Sequence, residues 1–454
     1  MSRHVKYISD PLYGFIEIDV NIRDGILLDI IDSPEFQRMR YISQTGMSFF
    51  AYPTARHTRF EHSLGVYSLA REFLSKMPEQ EFDKESKELF LIVSLIHDVG
   101  HAAFSHDFET MIENIFRERS LDTEPCRHED WLVKIISDSE SNLYEILYEK
   151  HVIGNEVKSF IYSIYKDEMR CSTYNEPDKS REPWLPLIRL LSSELDIDRL
   201  DYLLRDSYFT GVASGVYDFE RIKRALVYNS QFKRFVVREK DIPAIEGFFI
   251  ARYHMYRLVY NHKTTLSART MFWKIFLRAW DLYQEGKLDD NYLLKPIYIL
   301  FESHMNPPTS SYLEITDPLI ITQIKIWSQH SDDILKDLST RFLTRRLFKP
   351  IPVKSSLPPN ALDKIRETVY ENGFDPEYYF EYVPNVVPRY IQLRYDALPE
   401  VFSEGGVLVE EHKKDITEVS DIIHTLTSPK QIIKGFIMVP TDEIRGIANG
   451  LINK

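Results

Sequence analysis

The residue types best suited to chemistry in this chain are His97 and Asp98. They stand near the end of an apolar run, Leu89-Phe-Leu-Ile-Val-Ser-Leu-Ile-His-Asp-Val-Gly-His101. An imidazole and a carboxylate side by side are two good ligands for a borderline or hard divalent cation. Burying them among apolar residues is costly unless something pairs with them, and a cation is one such partner. Further ligand types are near at hand. His57, His62, His97, His101, His106 and His128 fall within 72 residues. Asp196, Asp198 and Asp201 interrupt a second apolar stretch around Leu195, Ile197 and Leu200. His62, His97, Asp98 and Asp198 together would supply two nitrogens and two oxygens. That set suits iron, manganese, zinc, nickel or magnesium, with positions left for water or a phosphate oxygen. A bland reading stands beside it: Asp196 and Asp201 are equally able to cap the helix or pair with Arg199 and Arg205.

Adjacent helical residues point about 100° apart. His97 and Asp98 therefore share an ion only at a helix end, and Gly100 is placed to make one. His101, four residues after His97, is either a further ligand or an acid beside the cation. A cation lowers the pKa of water, which then attacks phosphorus. A histidine whose pKa lies near neutrality protonates the leaving oxygen.

The elements that must position these groups read mostly as helices. Short strands and turns occupy 6–31. Asp32-Ser33-Pro34-Glu35 gives a capped helix start. Further helices follow at 61–73, 87–99, 107–119 and 129–137. A polar stretch, 166–183, reads as a surface loop. One long helix is expected from Pro186 to Arg205, then an aromatic-rich helical region at 243–283 and two helices within 318–348. After Phe348, Lys349-Pro-Ile-Pro352 and Pro358-Pro359 mark a boundary. Beyond it, Tyr390–Tyr395 and Gly435–Pro440 read as strands with helices between. The expected architecture is mainly α, a helical core over 1–348 with a small α+β lobe over 349–454 that is regulatory or oligomerising.

The 454 residues are 43% apolar and 28% charged, with a formal net charge of -13. That balance gives no footprint for nucleic-acid binding, though a local basic pocket for a phosphorylated small molecule is compatible with it. Two cysteines cannot build a disulfide framework or a thiolate zinc site. No signal peptide or bilayer-length apolar stretch is visible. The expected setting is the reducing cytoplasm.

With these residues on the page, the chain resembles the HD-domain phosphohydrolases. It is more closely similar to the deoxynucleoside triphosphate (dNTP) triphosphohydrolases, the bacterial dGTPase-like enzymes and the vertebrate enzyme with SAM and HD domains. The similarity runs over about 6–348. It is carried by Asp10-Pro11, Asp32-Ser-Pro-Glu-Phe-Gln-Arg-Met-Arg-Tyr41, Arg59-Phe-Glu-His-Ser-Leu-Gly-Val66, His97-Asp-Val-Gly-His101, Phe104-Ser-His106 and Asp196-Ile-Asp-Arg-Leu-Asp-Tyr202.

The resemblance implies water attack on the α-phosphorus, releasing a deoxynucleoside and tripolyphosphate. It makes His62, His97, Asp98 and Asp198 the metal ligands, and His101, His128 and Glu109 the catalytic group. Glu109 stands where the family usually has Asp. Phosphate contacts fall to Arg59, His106, Arg199, Tyr202 and Arg252, and sugar contacts to Gln44, Asp206 and Tyr260. Thr45 stands where the vertebrate enzyme has an apolar residue. Asp32, Gln37 and Arg40 match residues that hold a guanine nucleotide at a subunit interface. Arg221, Arg238, Lys240, His262 and Lys263 match contacts to an adjoining activator. A homotetramer activated by GTP or a dNTP is thereby implied. Two other readings compete. One is an HD hydrolase acting on nucleoside monophosphates, cyclic dinucleotides or alarmones. The other is a nucleotide-binding regulator with a vestigial site.

Overall fold

The computed structural model describes residues 5–121, 124–171, 184–230, 233–354, 356–384, 400–402, 414–415, 420–427 and 435–452. Its helices begin where the sequence supplies caps. In α1 (Arg59–Ser75), the Glu61 carboxylate reaches back to the backbone N–H and hydroxyl of Thr58, a reciprocal capping box. In α2 (Lys84–Ile96), Asp83 accepts from the Ser86 N–H at 2.6 Å. Every residue from Leu89 to Ile96 is buried, so α2 is enclosed on all sides. Then come α3 (His106–Arg119), α4 (His128–Ser137) and α5 (Gly154–Tyr165). Helix α6 (Ile197–Thr210) precedes α7 (Ile242–Met255), α8 (Lys263–Gln284), α9 (Asp317–Trp327) and α10 (Asp333–Leu343).

Helix α1 packs against both α2 and α6, and α2 also packs against α5. Helix α8 gathers α3 and α10. The buried apolar side chains form two clusters. The first holds α1, α2, α5, α6 and α7. The second holds α3, α8, α9, α10 and the C-terminal strands. The seam between them runs through 97–104: Val99 belongs to the first cluster and Ala102 to the second.

The strands are peripheral. β1 (Val5–Asp10) and β2 (Gly14–Asp19) form an antiparallel hairpin with Val5 opposite Asp19. β3 (Leu226–Asn229) and β4 (Arg234–Arg238) pair antiparallel. A three-stranded sheet has the order β5 (Lys349–Val353), β9 (Gly435–Val439), β6 (Glu381–Pro384), with β9 wholly buried in the middle. The remaining pair, β7 (Glu400–Phe402) and β8 (Lys414–Asp415), adds to β4.

The fold is mainly α with small sheets, as the sequence implies. Three expectations change in detail. Residues 26–32 are helical, because Gly25 takes a left-handed turn and Ile26, Leu27, Ile30 and Ile31 then share a buried face. The expected helix 186–205 is two, Leu185–Leu191 and α6. Asp196 breaks it: its backbone is extended and its carboxylate accepts from the Arg199 N–H at 2.7 Å as an N-cap. Region 243–283 is also divided, with a π turn at Tyr256–Tyr260 between α7 and α8. The strand read at 390–395 and the 172–183 part of the loop lie outside the described residues. Cys126 and Cys171 are joined by a disulfide, their Cα atoms 5.3 Å apart. Among the described residues, no helix is long and apolar enough to cross a membrane.

Candidate active site

Helix α2 ends at Ile96 and His97 is its C-cap, which meets the condition for His97 and Asp98 to face one point. Gly100 is required there for a different reason from the expected helix stop. A Cβ on it would lie 1.9 Å from the His128 carbonyl oxygen. The missing side chain lets the start of α4 press against the His97–His101 turn.

His62, from the first turn of α1, His97 and Asp198, from the first turn of α6, bring ligand atoms within 4.8 Å of one another. The His62 Nε2 to Asp198 Oδ1 distance is 2.9 Å. Asp98 completes the group, with Oδ2 at 3.5 Å from His62 Nε2 and Oδ1 at 3.5 Å from His97 Nε2. Each imidazole is fixed by its other nitrogen. His62 Nδ1 meets Asp201 at 2.7 Å and His97 Nδ1 meets the Ser94 carbonyl at 3.0 Å. That leaves both Nε2 atoms buried and turned toward the Asp98 and Asp198 carboxylates. Two buried imidazole nitrogens facing two carboxylates fit a divalent cation.

The surrounding charges are strongly coupled. Burial opposes the charge on His62, yet Asp198 and Asp201 outweigh it and hold the imidazole up to about 10. Burial would raise the Asp98 carboxyl, but Arg59 and His97 hold it well below the carboxylate range. Arg59 does so directly, its Nη1 2.7 Å from Asp98 Oδ2, while its Nε donates to Ser105.

Beside this group lies a second. His101 and His128 stack with ring centroids 3.9 Å apart. Glu109 accepts from the His128 N–H and sits 2.7 Å from His128 Nδ1, so Glu at this position reaches its partner. Its other oxygen is 2.8 Å from His106 Nδ1. Burial, Arg59 and His128 push His101 well below 6.5, toward the neutral form. Burial works against charge on His128 too, but Glu129 and Glu109 raise it to about 9. Stacked imidazoles of opposite tendency make an acid–base pair.

The expected phosphate residues divide. Arg59 bonds Asp98 and Tyr202 lies against the His62 ring, whereas Arg199 and Arg252 are held by other carboxylates. Arg199 pairs with Asp196, and Arg252 Nη1 lies 2.6 Å from Glu194. The His106 side chain is mostly exposed. The three expected sugar residues come together through His57, whose role the sequence reading missed. Its Nε2 is 2.6 Å from Asp206, its carbonyl accepts from the Gln44 N–H at 3.1 Å, and Phe209 stacks on its ring. Tyr260 donates to the other Asp206 oxygen, and Gln44 Oε1 is buried without a partner.

The expected activator residues lie on separate elements. Arg40 donates to Gln37 at 2.8 Å and stacks over Phe60, with Asp32 exposed nearby in sequence. Arg221 and Arg238 converge on Asp241, and Arg221 also reaches the Lys240 carbonyl. His262 and Lys263 open α8, with His262 against Tyr52.

Two further residues, Glu129 and Arg38, emerge only in three dimensions, while Asp201 pairs with Arg205 as the sequence reading allowed. Asp201 is held by Arg205, Tyr13 and His62, and Arg205 in turn pairs with Asp10. Glu129 lies 3.1 Å from His128 Nε2, its own carboxyl raised to about 7 by burial. Buried Arg38 donates to the carbonyls of Val99, His101 and Leu313, clamping the ligand turn.

The HD domain family matches residues 59–206, and the HD associated region matches 217–295. The chain is 32% identical over 397 residues to the uncharacterized protein YwfO of Bacillus subtilis, covering 86% of this chain and 81% of that one. The chain belongs to the HD-domain phosphohydrolases. A crystallised phosphohydrolase from Bacteroides thetaiotaomicron matches this HD phosphohydrolase with a TM-score of 0.75. It is 28% identical, with 96% of this chain and all of that one covered. The deoxynucleoside triphosphate triphosphohydrolase SAMHD1 of Gallus gallus is 30% identical over 327 residues, 68% of this chain and 52% of that protein. The HD phosphohydrolase thus spans about half the length of that relative.

Proposed function

We propose that this HD phosphohydrolase cleaves deoxynucleoside triphosphates to deoxynucleosides and tripolyphosphate. The observation that carries the reading is the His62, His97, Asp98 and Asp198 ligand group with the stacked His101–His128 pair against it, His101 Nε2 lying 3.4 Å from Asp98 Oδ1. Its similarity to SAMHD1 points the same way. A divalent cation, when bound, would be held by His62, His97, Asp98 and Asp198 and would supply an activated water and polarise the phosphoryl group.

The chain's own groups do the rest. Asp206, Tyr260 and Gln44 orient the sugar, Gln44 through its unpartnered Oε1. Arg59, Arg199, His106, Tyr202 and Arg252 gather the phosphate oxygens, and the planar guanidinium fork suits them. Water attacks the α-phosphorus, the bond to the 5′ oxygen breaks, that oxygen takes a proton from the His101–His128 pair, and the attacking water returns one to the pair. Glu109 holds the His128 ring at Nδ1, 2.7 Å away, and keeps it charged for the transfer. Activation by GTP or a dNTP in a homotetramer belongs to the same reading, with Asp32, Gln37, Arg40, Arg221, Arg238, Lys240, His262 and Lys263 as the activator contacts and residues 349–454 as a regulatory or oligomerising lobe.

The test is product analysis on each dNTP, with and without GTP, alongside sedimentation of the protein. Tripolyphosphate release that disappears in His97→Ala and Asp98→Ala is the expected result. Release of monophosphate or pyrophosphate instead, or hydrolysis retained by a metal-free Asp98→Ala protein, would overturn it.

A further inference from the structure

Cys126 and Cys171, the only two cysteines of the chain, are bonded to each other across 45 residues. Their Cα atoms stand 5.3 Å apart, an ordinary span for a disulfide. The bridge sits beside the candidate catalytic pair, because Cys126 lies two residues before His128, where α4 begins. Cys171 ends a strap, 166–171, that leaves α5 after Tyr165. The base of the strap faces the site: burial and the charges of Asp198, Glu168, Asp98 and Glu129 raise the Tyr165 hydroxyl far above its ordinary value. Buried Asp130, in the first turn of α4, ties the two sides together. Its carboxylate accepts from the Arg127 N–H at 3.0 Å, from the Arg170 N–H at 3.0 and 3.1 Å, and from the Cys171 N–H at 3.0 Å. Glu113 Oε1 lies 3.4 Å from Arg127 Nη2 and 3.1 Å from Arg170 Nη1. Lys134 Nζ is 3.1 Å from Cys126 Sγ. Burial lowers the Lys134 ammonium from its ordinary value, and a thiolate beside it offsets that desolvation. Both cysteines are partly exposed, so a reductant reaches them. Single bridges of this kind are the labile ones, whereas structural disulfides resist reduction.

We propose that the Cys126–Cys171 bridge is a reversible redox switch. Closed, it holds the 166–171 strap to the start of α4 and supports hydrolysis; opened by a dithiol, it frees the strap and slows hydrolysis. A thiolate of the dithiol attacks Cys171 Sγ, the bond to Cys126 breaks, and its electron pair goes to Cys126 Sγ beside the Lys134 ammonium. The second thiol of the dithiol then attacks the mixed disulfide. Cys171 leaves, and the reductant closes on itself as a disulfide. Two electrons and two protons thus pass from the dithiol to the cysteine pair. Opening loosens Arg127 and with it His128, whose N–H and Nδ1 both meet Glu109. Only the effect on hydrolysis rests on the proposed function; opening and strap release stand on the bridge itself.

The test compares the full chain equilibrated with oxidised and with reduced dithiothreitol. Free thiols, metal content, dNTP hydrolysis and amide hydrogen exchange are measured on the same samples. The oxidised protein is expected to show no free thiol, and the reduced protein both of its cysteines free while still folded. On reduction, exchange at the Arg170 and Cys171 amides is expected to quicken about tenfold or more. kcat is expected to fall about 10–100-fold at unchanged metal content, and both changes to reverse on reoxidation. Cys126→Ser and Cys171→Ser are each expected to behave as reduced wild type in either buffer. A bridge that does not form in oxidised dithiothreitol, or that opens only in the denatured chain, overturns the switch. So does unchanged exchange at Arg170 and Cys171. Equal kcat in the two forms, or a serine variant as active as the oxidised protein, overturns the effect on hydrolysis. If neither form hydrolyses a dNTP but exchange still follows the thiol count, the switch holds and the proposed substrate falls.

Discussion

Replacing Gly65 by alanine tests whether the buried ion cluster behind His62 is rigid. Gly65 lies in the interior of α1, where helix propensity alone makes alanine more stable by about 1 kcal/mol. Packing gives the opposite sign. A Cβ at Gly65 would sit 1.9 Å from Asp201 Oδ1 and 2.6 Å from Arg205 Nη2. Neither is the free end of a mobile chain. Asp201 accepts from Tyr13 at 2.8 Å and from Arg205 Nε and Nη2 at 2.9 Å each, and it meets His62 at 2.7 Å. Arg205 and Asp201 are both fully buried, and Arg205 also holds Asp10 at 2.8 Å. Overpacking costs about 1–3 kcal/mol, and opening a buried ion pair about 3–5 kcal/mol. Opening the ion pair, taken alone and set against the propensity gain, gives a net loss of about 2–4 kcal/mol.

Urea unfolding measures it as a lower midpoint at unchanged slope. Because Asp201 orients the His62 ring, affinity for the divalent ion is expected to fall by about 10–100-fold as well. Gly247→Ala is the control. Gly247 lies mid-helix in α7 with nothing within 4 Å of its built Cβ, so there alanine is expected to stabilise by up to about 1 kcal/mol. A Gly65→Ala protein as stable as wild type, with unchanged metal affinity, would refute the reasoning.

Arg38→Met, which leaves the Val99, His101 and Leu313 carbonyls unpaired, is expected to destabilise by about 3 kcal/mol in urea. Lysine should not restore it, because one ammonium cannot span three carbonyls, and full rescue by lysine would refute the clamp. Burial raises the Asp317 carboxyl to about 6, against hydrogen bonds from Ser43 and the Phe104 N–H that pull it down. Its folded pKa exceeds the unfolded value of about 3.9, so its stability contribution is full below about pH 4 and is lost as pH rises through 6. Asp317→Asn should therefore gain on wild type across that window, and a constant difference in unfolding midpoints would contradict this. Under the dNTP reading, His57→Phe is expected to raise KM about tenfold with metal content unchanged; an unchanged KM would remove His57 from the nucleotide pocket.

The helices were legible where a cap preceded an apolar repeat. Thr58 with Glu61, and Asp83 before Ser86, start α1 and α2 within a few residues of the expected positions. The error at 186–205 has a physical source. Leu187 to Leu203 keeps a helical apolar rhythm across the break, because both helices bury one face in the same cluster. The rhythm records burial, whereas the break is made by Asp196 taking the N-cap.

That same break decides what could be read of the site. With one helix through 186–205, Asp198 read as a ligand while Asp196 and Asp201 read equally as caps or as partners of Arg199 and Arg205. With α6 beginning at Ile197, Asp196 becomes a cap. Asp198 and Asp201, one turn apart, then share the face turned to α1. They meet opposite nitrogens of one imidazole, Asp198 at His62 Nε2 and Asp201 at Nδ1, at 2.9 and 2.7 Å. The i, i+3 spacing was the available signal, once the helix start was right. Arg38 left no comparable signal, because its partners are backbone carbonyls, which every residue carries. His57 and Glu129 were hidden for a related reason. His57 acts on Asp206, 149 residues away, a contact that spacing along the chain does not encode, and Glu129 adjoins His128 in sequence but meets its Nε2 only through the fold of both side chains.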